Sequence, residues 1–156
     1  MGRGEMSLYW PRVADQLLKR DLEVFGAVSI DGPRSSGKTA TASEIARSAV
    51  RLDTDLNARR LAEIEPDRLL SGARPRLLDE WQVYPHLWDH VRRAVDDAGG
   101  KPAQFILTGS AVPADNARVH SGTGRIARLR MRTMSLFELG HSTGEVSLGA
   151  LFSGTQ

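Results

Sequence analysis

Short apolar runs alternate along this chain with segments whose apolar residues recur every three or four positions. Residues 24–30, Val-Phe-Gly-Ala-Val-Ser-Ile, form one such run and read as a buried strand of a parallel sheet. Ala42, Ile45, Ala46 and Ala49 then fall at i, i+3, i+4 and i+7, which predicts a helix with one buried face reaching about Val50. Ahead of both, residues 11–21 predict a first helix with Val13, Leu17 and Leu18 on one side. Further strands are expected at 50–53, 76–79, 104–108 and 126–132, and helical segments at 57–65 and 67–70. The clearest amphipathic helix is 85–98, with Leu87, Trp88, Val91, Val95 and Ala98 on one face. Gly99-Gly100-Lys101-Pro102 ends it. A polar, Gly-containing loop covers about 111–124, and Ser135-Leu136-Phe137-Glu138-Leu139 begins a last helix.

Strands alternating with helices predict an α/β protein, a three-layer α/β/α sandwich around a parallel sheet. The length fits one domain. Within it, residues 1–22 form an N-terminal tail and first helix, and 23–156 the main α/β body. Ligands of such folds bind at the carboxyl ends of the strands. The turn after residue 30, Asp79, Thr108 and the loop before Arg125 are expected to gather there.

That turn carries the strongest motif. Gly32-Pro33-Arg34-Ser35-Ser36-Gly37-Lys38-Thr39 matches G-x-x-x-x-G-K-[ST], the Walker A phosphate-binding loop, and Ala40 continues it into the helix. Gly32 and Gly37 allow backbone shapes that a Cβ forbids. The loop amides then form a concave nest for phosphate oxygens. Lys38 reaches the β- and γ-phosphates, and Thr39 offers a hydroxyl to magnesium, which takes oxygen ligands. A strand before the loop and a helix after it are the context this motif needs.

Leu77-Leu78-Asp79-Glu80 has the form of Walker B, an apolar strand followed by Asp and Glu. Asp79 is the expected magnesium residue, and Glu80 the residue that orients or deprotonates an attacking water. Phosphoryl transfer depends mainly on metal and positioning. Thr108 and Ser110 follow the fourth strand, where a hydroxyl can sense a γ-phosphate; a capped turn explains Gly109 and Ser110 equally well. Arg125 follows a flexible loop and is expected either as an arginine finger acting in trans within a homo-oligomer, or as an ordinary surface charge. Arg128, Arg130 and Arg132 alternate on the fifth strand. A charged edge that discourages strand pairing is the favoured reading, and a nucleic-acid contact the weaker one. Tyr9-Trp10-Pro11-Arg12 either stacks on adenine or closes the core. His86 and His90 have the spacing of a zinc pair but lack H-E-x-x-H and cysteine partners, which argues against a metal role.

Composition narrows the setting. The 156 residues are 40% apolar, enough for a core. Cysteine is absent, which excludes disulfides and thiolate metal sites and fits a reducing cytoplasm. No run approaches the length of a membrane span. The net charge is +2 and the pI 9.4, because the basic residues are nearly all arginine. Only three lysines occur, Lys19, Lys38 and Lys101, and one of them sits in the phosphate loop.

With these residues in view, the chain resembles the AAA_14 family of AAA-type P-loop ATPases. The resemblance rests on residues 32–39, on Leu-Leu-Asp-Glu-Trp-Gln at 77–82, and on Ile-Leu-Thr-Gly-Ser at 106–110. Gly-Arg-Ile at 124–126 and Met-Ser-Leu-Phe-Glu-Leu at 134–139 complete it, in the family's order. It implies a five-stranded sheet of order 5-1-4-3-2, with ATP and Mg2+ as ligands. It also implies a water-positioning role for Gln82. Family members usually carry a DUF4143 part behind this domain, which these residues lack. Two further function classes stay open. One is a small P-loop kinase, for which the 111–124 loop with Arg118 is the lid candidate. The other is an ATP-binding switch that does not hydrolyse.

Overall fold

In the computed structural model, which describes residues 9–110, 122–146 and 148–154, five parallel strands form one sheet. The strands are β1 (Ala27–Asp31), β2 (Ser48–Arg51), β3 (Arg76–Asp79), β4 (Phe105–Gly109) and β5 (Ile126–Arg130). Their order is β2-β3-β4-β1-β5, the 5-1-4-3-2 order expected. β1 and β4 lie inside the sheet, and every residue of both is buried. This is why their sequences read as continuous apolar runs.

Helices cover both faces. Helices α1 (Val13–Val24) and α2 (Lys38–Ser43) pack on one side, with Ala14, Leu18, Leu22 and Ala42 against Val28, Ile30, Leu77, Ile106 and Leu129. Helices α3 (Leu56–Ile64), α4 (Pro66–Leu69) and α5 (Leu87–Asp97) cover the other. There Ala58, Leu69, Trp88, Val91 and Val95 meet Ala27, Leu78, Phe105 and Leu107. Alternate residues of each strand feed the two layers, as the pleat requires. A short 3-10 turn, Trp81–Val83, sends fully buried Trp81 into the second layer, where its ring centroid lies 5.1 Å from that of Trp88. A last helix, α6, spans Leu148–Ser153.

Four sequence expectations need correction. Helix α1 runs past residue 22 to Val24, and its buried face is Ala14, Leu18 and Leu22, while Val13 and Leu17 are exposed. Helix α2 ends at Ser43 rather than near Val50. The Arg47 amide bonds to the Pro75 carbonyl, and residues 48–51 are drawn into pairing with β3, so Ala49 becomes an exposed strand residue. Residues 135–139 make a single turn, not a helix. The fifth strand stops at Arg130, so Arg132 lies beyond it. Arg128 and Arg130 are exposed on this edge strand, and the Arg128 guanidinium lies 5.8 Å from the Trp88 ring centroid.

Candidate functional site

The phosphate loop leaves the carboxyl end of β1 and enters α2 directly. Gly32 is required by space, since a Cβ there would lie 2.2 Å from the Met131 carbonyl oxygen. Gly37 is required by conformation, with φ at +94°. Ser35 also adopts the left-handed region at φ 61°, an uncommon shape for a residue with a Cβ. Pro33, Arg34 and Ser35 form an exposed lip, whereas Ser36 and Lys38 are buried. Lys38 is 5% exposed, and its Nζ donates to the Pro33 carbonyl at 2.7 Å, so the lysine folds back along its own loop.

Thr39 lies in the first turn of α2, and its hydroxyl donates to Asp79 Oδ1 at 2.7 Å. The Thr108 hydroxyl donates to the same oxygen. Asp79 and Thr108 are register partners on β3 and β4, which puts both at the carboxyl edge beside the loop. Glu80 follows in the left-handed region at φ 57°. Its amide bonds to Thr108 Oγ1 at 3.4 Å, and its carboxylate accepts from Gln82 Nε2 and from Ser110 Oγ, the latter at 3.2 Å. Gln82 Nε2 also donates to Ser110 Oγ at 3.3 Å. Ahead of the loop, Asp31 accepts from Ser29 Oγ at 3.0 Å. Burial pushes its carboxyl upward, against the lowering effects of that hydrogen bond and of Arg128, Arg130 and Lys38.

The donors on offer, a threonine hydroxyl and a carboxylate, suit a hard cation such as magnesium, which keeps several waters and takes further oxygens from phosphate. Among the described residues no cluster of three His, Asp or Glu side chains could hold a metal alone, and none is needed for that chemistry. His86 Nε2 instead contacts the Ala62 carbonyl at 2.7 Å and His90 Nδ1 contacts Asp67 at 2.6 Å, which fastens α5 to α3 and α4.

Adenine stacking and core closure are the two roles open to Tyr9–Arg12. Trp10 is 53% exposed and closes no core. Together with Tyr9, Arg12, Gly37, Ala40, Ser43, Glu44 and Met134 it lines a cavity of about 420 Å³ beside the phosphate loop. The Tyr9 hydroxyl bonds to Asp15 and to Thr41 Oγ1.

Arg125 is not gathered into this site. It immediately precedes β5, at the amino edge of the parallel sheet, while the loop follows β1 at the carboxyl edge. A five-residue strand lies between the two levels, roughly 16 Å at about 3.3 Å per residue. Its Nε bonds to Asp96 Oδ1 at 2.8 Å. The phosphate loop, Asp79 and Thr108 thus gather at the carboxyl edge, and Arg125 itself lies at the opposite one. Residues 111–121, including the lid candidate Arg118, lie outside the described residues.

Two residues bear on the phosphate loop in a way the sequence did not suggest. Arg12, 8% exposed, reaches the phosphate loop from just ahead of α1, and Glu138 pairs with it at 3.0 Å. For Glu138 a signal existed: Ser135-Leu-Phe-Glu138 is a capping-box pattern, and the Ser135 amide bonds to Glu138 Oε2 at 2.7 Å. For Arg12 there was none.

A parallel sheet of this order, with a G-x-x-x-x-G-K-T loop after β1 and an Asp-Glu pair at the end of β3, defines a P-loop nucleotide-binding fold. The family model described as AAA domain matches residues 25–140, and the chain belongs to this AAA_14 family. It is also 31% identical over 140 residues to Uncharacterized protein Rv2008c of Mycobacterium tuberculosis and to Uncharacterized protein Mb2031c of Mycobacterium bovis. The match covers 86% of this chain and 31% of each relative, so the chain spans about a third of their length. No helix among the described residues is long and apolar enough to cross a membrane.

Proposed function

We propose that this domain binds ATP with Mg2+ and hydrolyses it, in a regulatory or motor-like role. The observation that carries the reading is the meeting of Thr39 and Asp79 beside a loop whose lysine is already buried against it. Magnesium, when bound, would neutralise charge on the β- and γ-phosphates. The chain's own residues do the rest. Thr39 offers its hydroxyl to the metal, and Asp79 acts mainly through metal-bound water. The loop amides and Lys38 hold phosphate oxygens. Thr108 keeps Asp79 in place, and Glu80 orients the attacking water, with Gln82 and Ser110 setting its direction. The cavity lined by Tyr9, Trp10 and Ala40 is the place for the base, with Trp10 as the stacking surface.

A switch that binds without hydrolysing is favoured by one observation: the Glu80 carboxylate is engaged by Gln82 and Ser110. The kinase reading has no such support among the described residues. Phosphate release from ATP, measured with and without added acceptors, separates the three. Hydrolysis in water without an acceptor is the expected result, with Lys38→Ala abolishing it and weakening ATP binding. Lys38→Ala with unchanged affinity and turnover would remove the phosphate-site assignment. Tight binding with no release would leave the switch.

A further inference from the structure

Arg12 precedes the residues matched by the family model, yet it holds the phosphate loop directly. Its three nitrogens reach two separate pieces of chain, the phosphate loop and residues 132–140. Nη1 donates to the Ser36 carbonyl at 2.6 Å, Nη2 to the Arg132 carbonyl at 2.9 Å, and Nε to Glu138 Oε1 at 3.0 Å. A rigid planar guanidinium can satisfy such a set at once, which an ammonium cannot. The side chains of Arg12 and Glu138 are 7% and 8% exposed. Glu138 is itself fixed by the Val13 amide at 2.9 Å and by the Ser135 amide and hydroxyl at 2.7 and 2.9 Å.

The Ser36 contact falls on a critical peptide. Ser36 lies between Ser35 and Gly37, both in the left-handed region, so its orientation is not what the backbone adopts unaided. In a planar trans peptide the carbonyl and the following amide point in opposite directions. A Ser36 carbonyl held by Arg12 therefore holds the Gly37 amide pointing away from Arg12, free to turn to a phosphate in the loop. We propose that Arg12 is a positioning residue for the phosphate loop, and that the Arg12–Glu138 pair couples the orientation of the Ser36–Gly37 peptide to the seating of residues 132–140. Displacing that segment then weakens phosphate binding, and phosphate binding steadies the segment, since such coupling is reciprocal. The functional consequence rests on the nucleotide reading above; the mechanical coupling does not.

Hydrogen exchange with and without ADP, on the wild-type chain and on Arg12→Ala and Glu138→Gln, tests both parts. In the free protein each substitution should speed exchange in residues 34–37 and in 132–140 together, and leave β1 and β4 unchanged. The ADP dissociation constant should rise about tenfold for Arg12→Ala and about threefold for Glu138→Gln, whose amide still accepts hydrogen bonds but lacks the charge. Faster exchange confined to 132–140 would overturn the coupling, because a merely local role loosens only that segment. ADP affinity within about twofold of wild type in both variants would overturn the positioning role. Should Arg12→Ala not fold, Glu138→Gln decides alone. Joint loosening in the variants, beside a wild-type protein that binds no ADP, would sink the ATP reading and leave the coupling standing.

Discussion

Thr39 and Asp79 lie forty positions apart in sequence and 2.7 Å apart in space, hydroxyl to carboxylate. Asp79 ends β3, and Thr39 follows β1 through the phosphate loop; these two strands are not neighbours. β4 runs between β1 and β3, and Thr108, opposite Asp79 in the register, bonds to the same carboxylate oxygen. The crossover that inserts β4 is thus what allows the start of α2 and the end of β3 to share one polar centre. Each member is an oxygen donor, and the phosphate loop lies alongside.

From that arrangement the magnesium dependence of nucleotide binding should reside in Thr39 and Asp79. Titration of ATP in magnesium and in excess chelator gives the measurement. The wild-type protein should bind more tightly with the metal. Asp79→Asn and Thr39→Ala should lower apparent metal affinity on the order of ten- to a hundredfold while leaving chelated affinity near wild type. A full magnesium effect in both variants would move the metal elsewhere.

Glu80→Gln should keep ATP and magnesium bound and slow hydrolysis by about 10²–10⁴-fold, the usual worth of a positioned acid–base group. The glutamine preserves size and the left-handed backbone at this position. Equal loss of binding and turnover would make Glu80 structural. Undiminished turnover would take it out of the mechanism.

The strand 76–79 was legible to the residue, because an apolar run ending in Asp is bounded ahead by Pro75. The phosphate loop and the Asp-Glu pair were equally legible, since their chemistry is local in sequence. Helix α2 was over-extended because alanine marks its face, and alanine suits a turn or a strand edge as well as a helix. The turn at 135–139 carries a true capping box, but Glu138 is also drawn to Arg12 and Val13, and the chain does not continue as a helix. Arg12 was beyond reach for a plainer reason. Its partners lie 24, 120 and 126 positions away, so no spacing along the chain announces them. Arg125 sits immediately ahead of a parallel strand, which places it at the amino edge, away from the phosphate loop of its own chain.

Acid should expose the Glu138 contribution to stability. Burial works to raise its carboxyl, but bonds from the Ser135 and Val13 amides, the Ser135 hydroxyl and Arg12 prevail and bring it from 4.5 down to about 2. A depressed folded value means that the unfolded chain takes up the proton first as pH falls. The contribution is full above about 4.5 and is lost on descending to about 2. Its ceiling is about 3 kcal/mol, at about 1.4 kcal/mol per pH unit. Denaturant melts of wild type and Glu138→Gln should therefore differ most near neutral pH and converge toward pH 2. A constant difference across that range would mean that the carboxylate charge contributes nothing.

Arg125 tests whether the site is completed by a second copy of the chain. It lies too far from its own phosphate loop to serve it, and its side chain is 47% exposed, so any catalytic part must be played on a neighbour. As a half-exposed partner of Asp96 alone it would be worth about 0–1 kcal/mol. We propose the role in trans, for which specific ATPase activity should rise with protein concentration. Arg125→Ala should abolish that rise and leave ATP affinity intact, by a large factor, since such fingers contribute about 10³–10⁵-fold. Asp96→Ala supplies the control. It removes the partner and keeps the arginine, so it should retain the concentration dependence. Mixing Glu80→Gln with Arg125→Ala should recover part of the activity, because the first supplies the arginine and the second an intact Glu80. Activity independent of concentration and indifferent to Arg125→Ala would reduce the residue to its ion pair with Asp96.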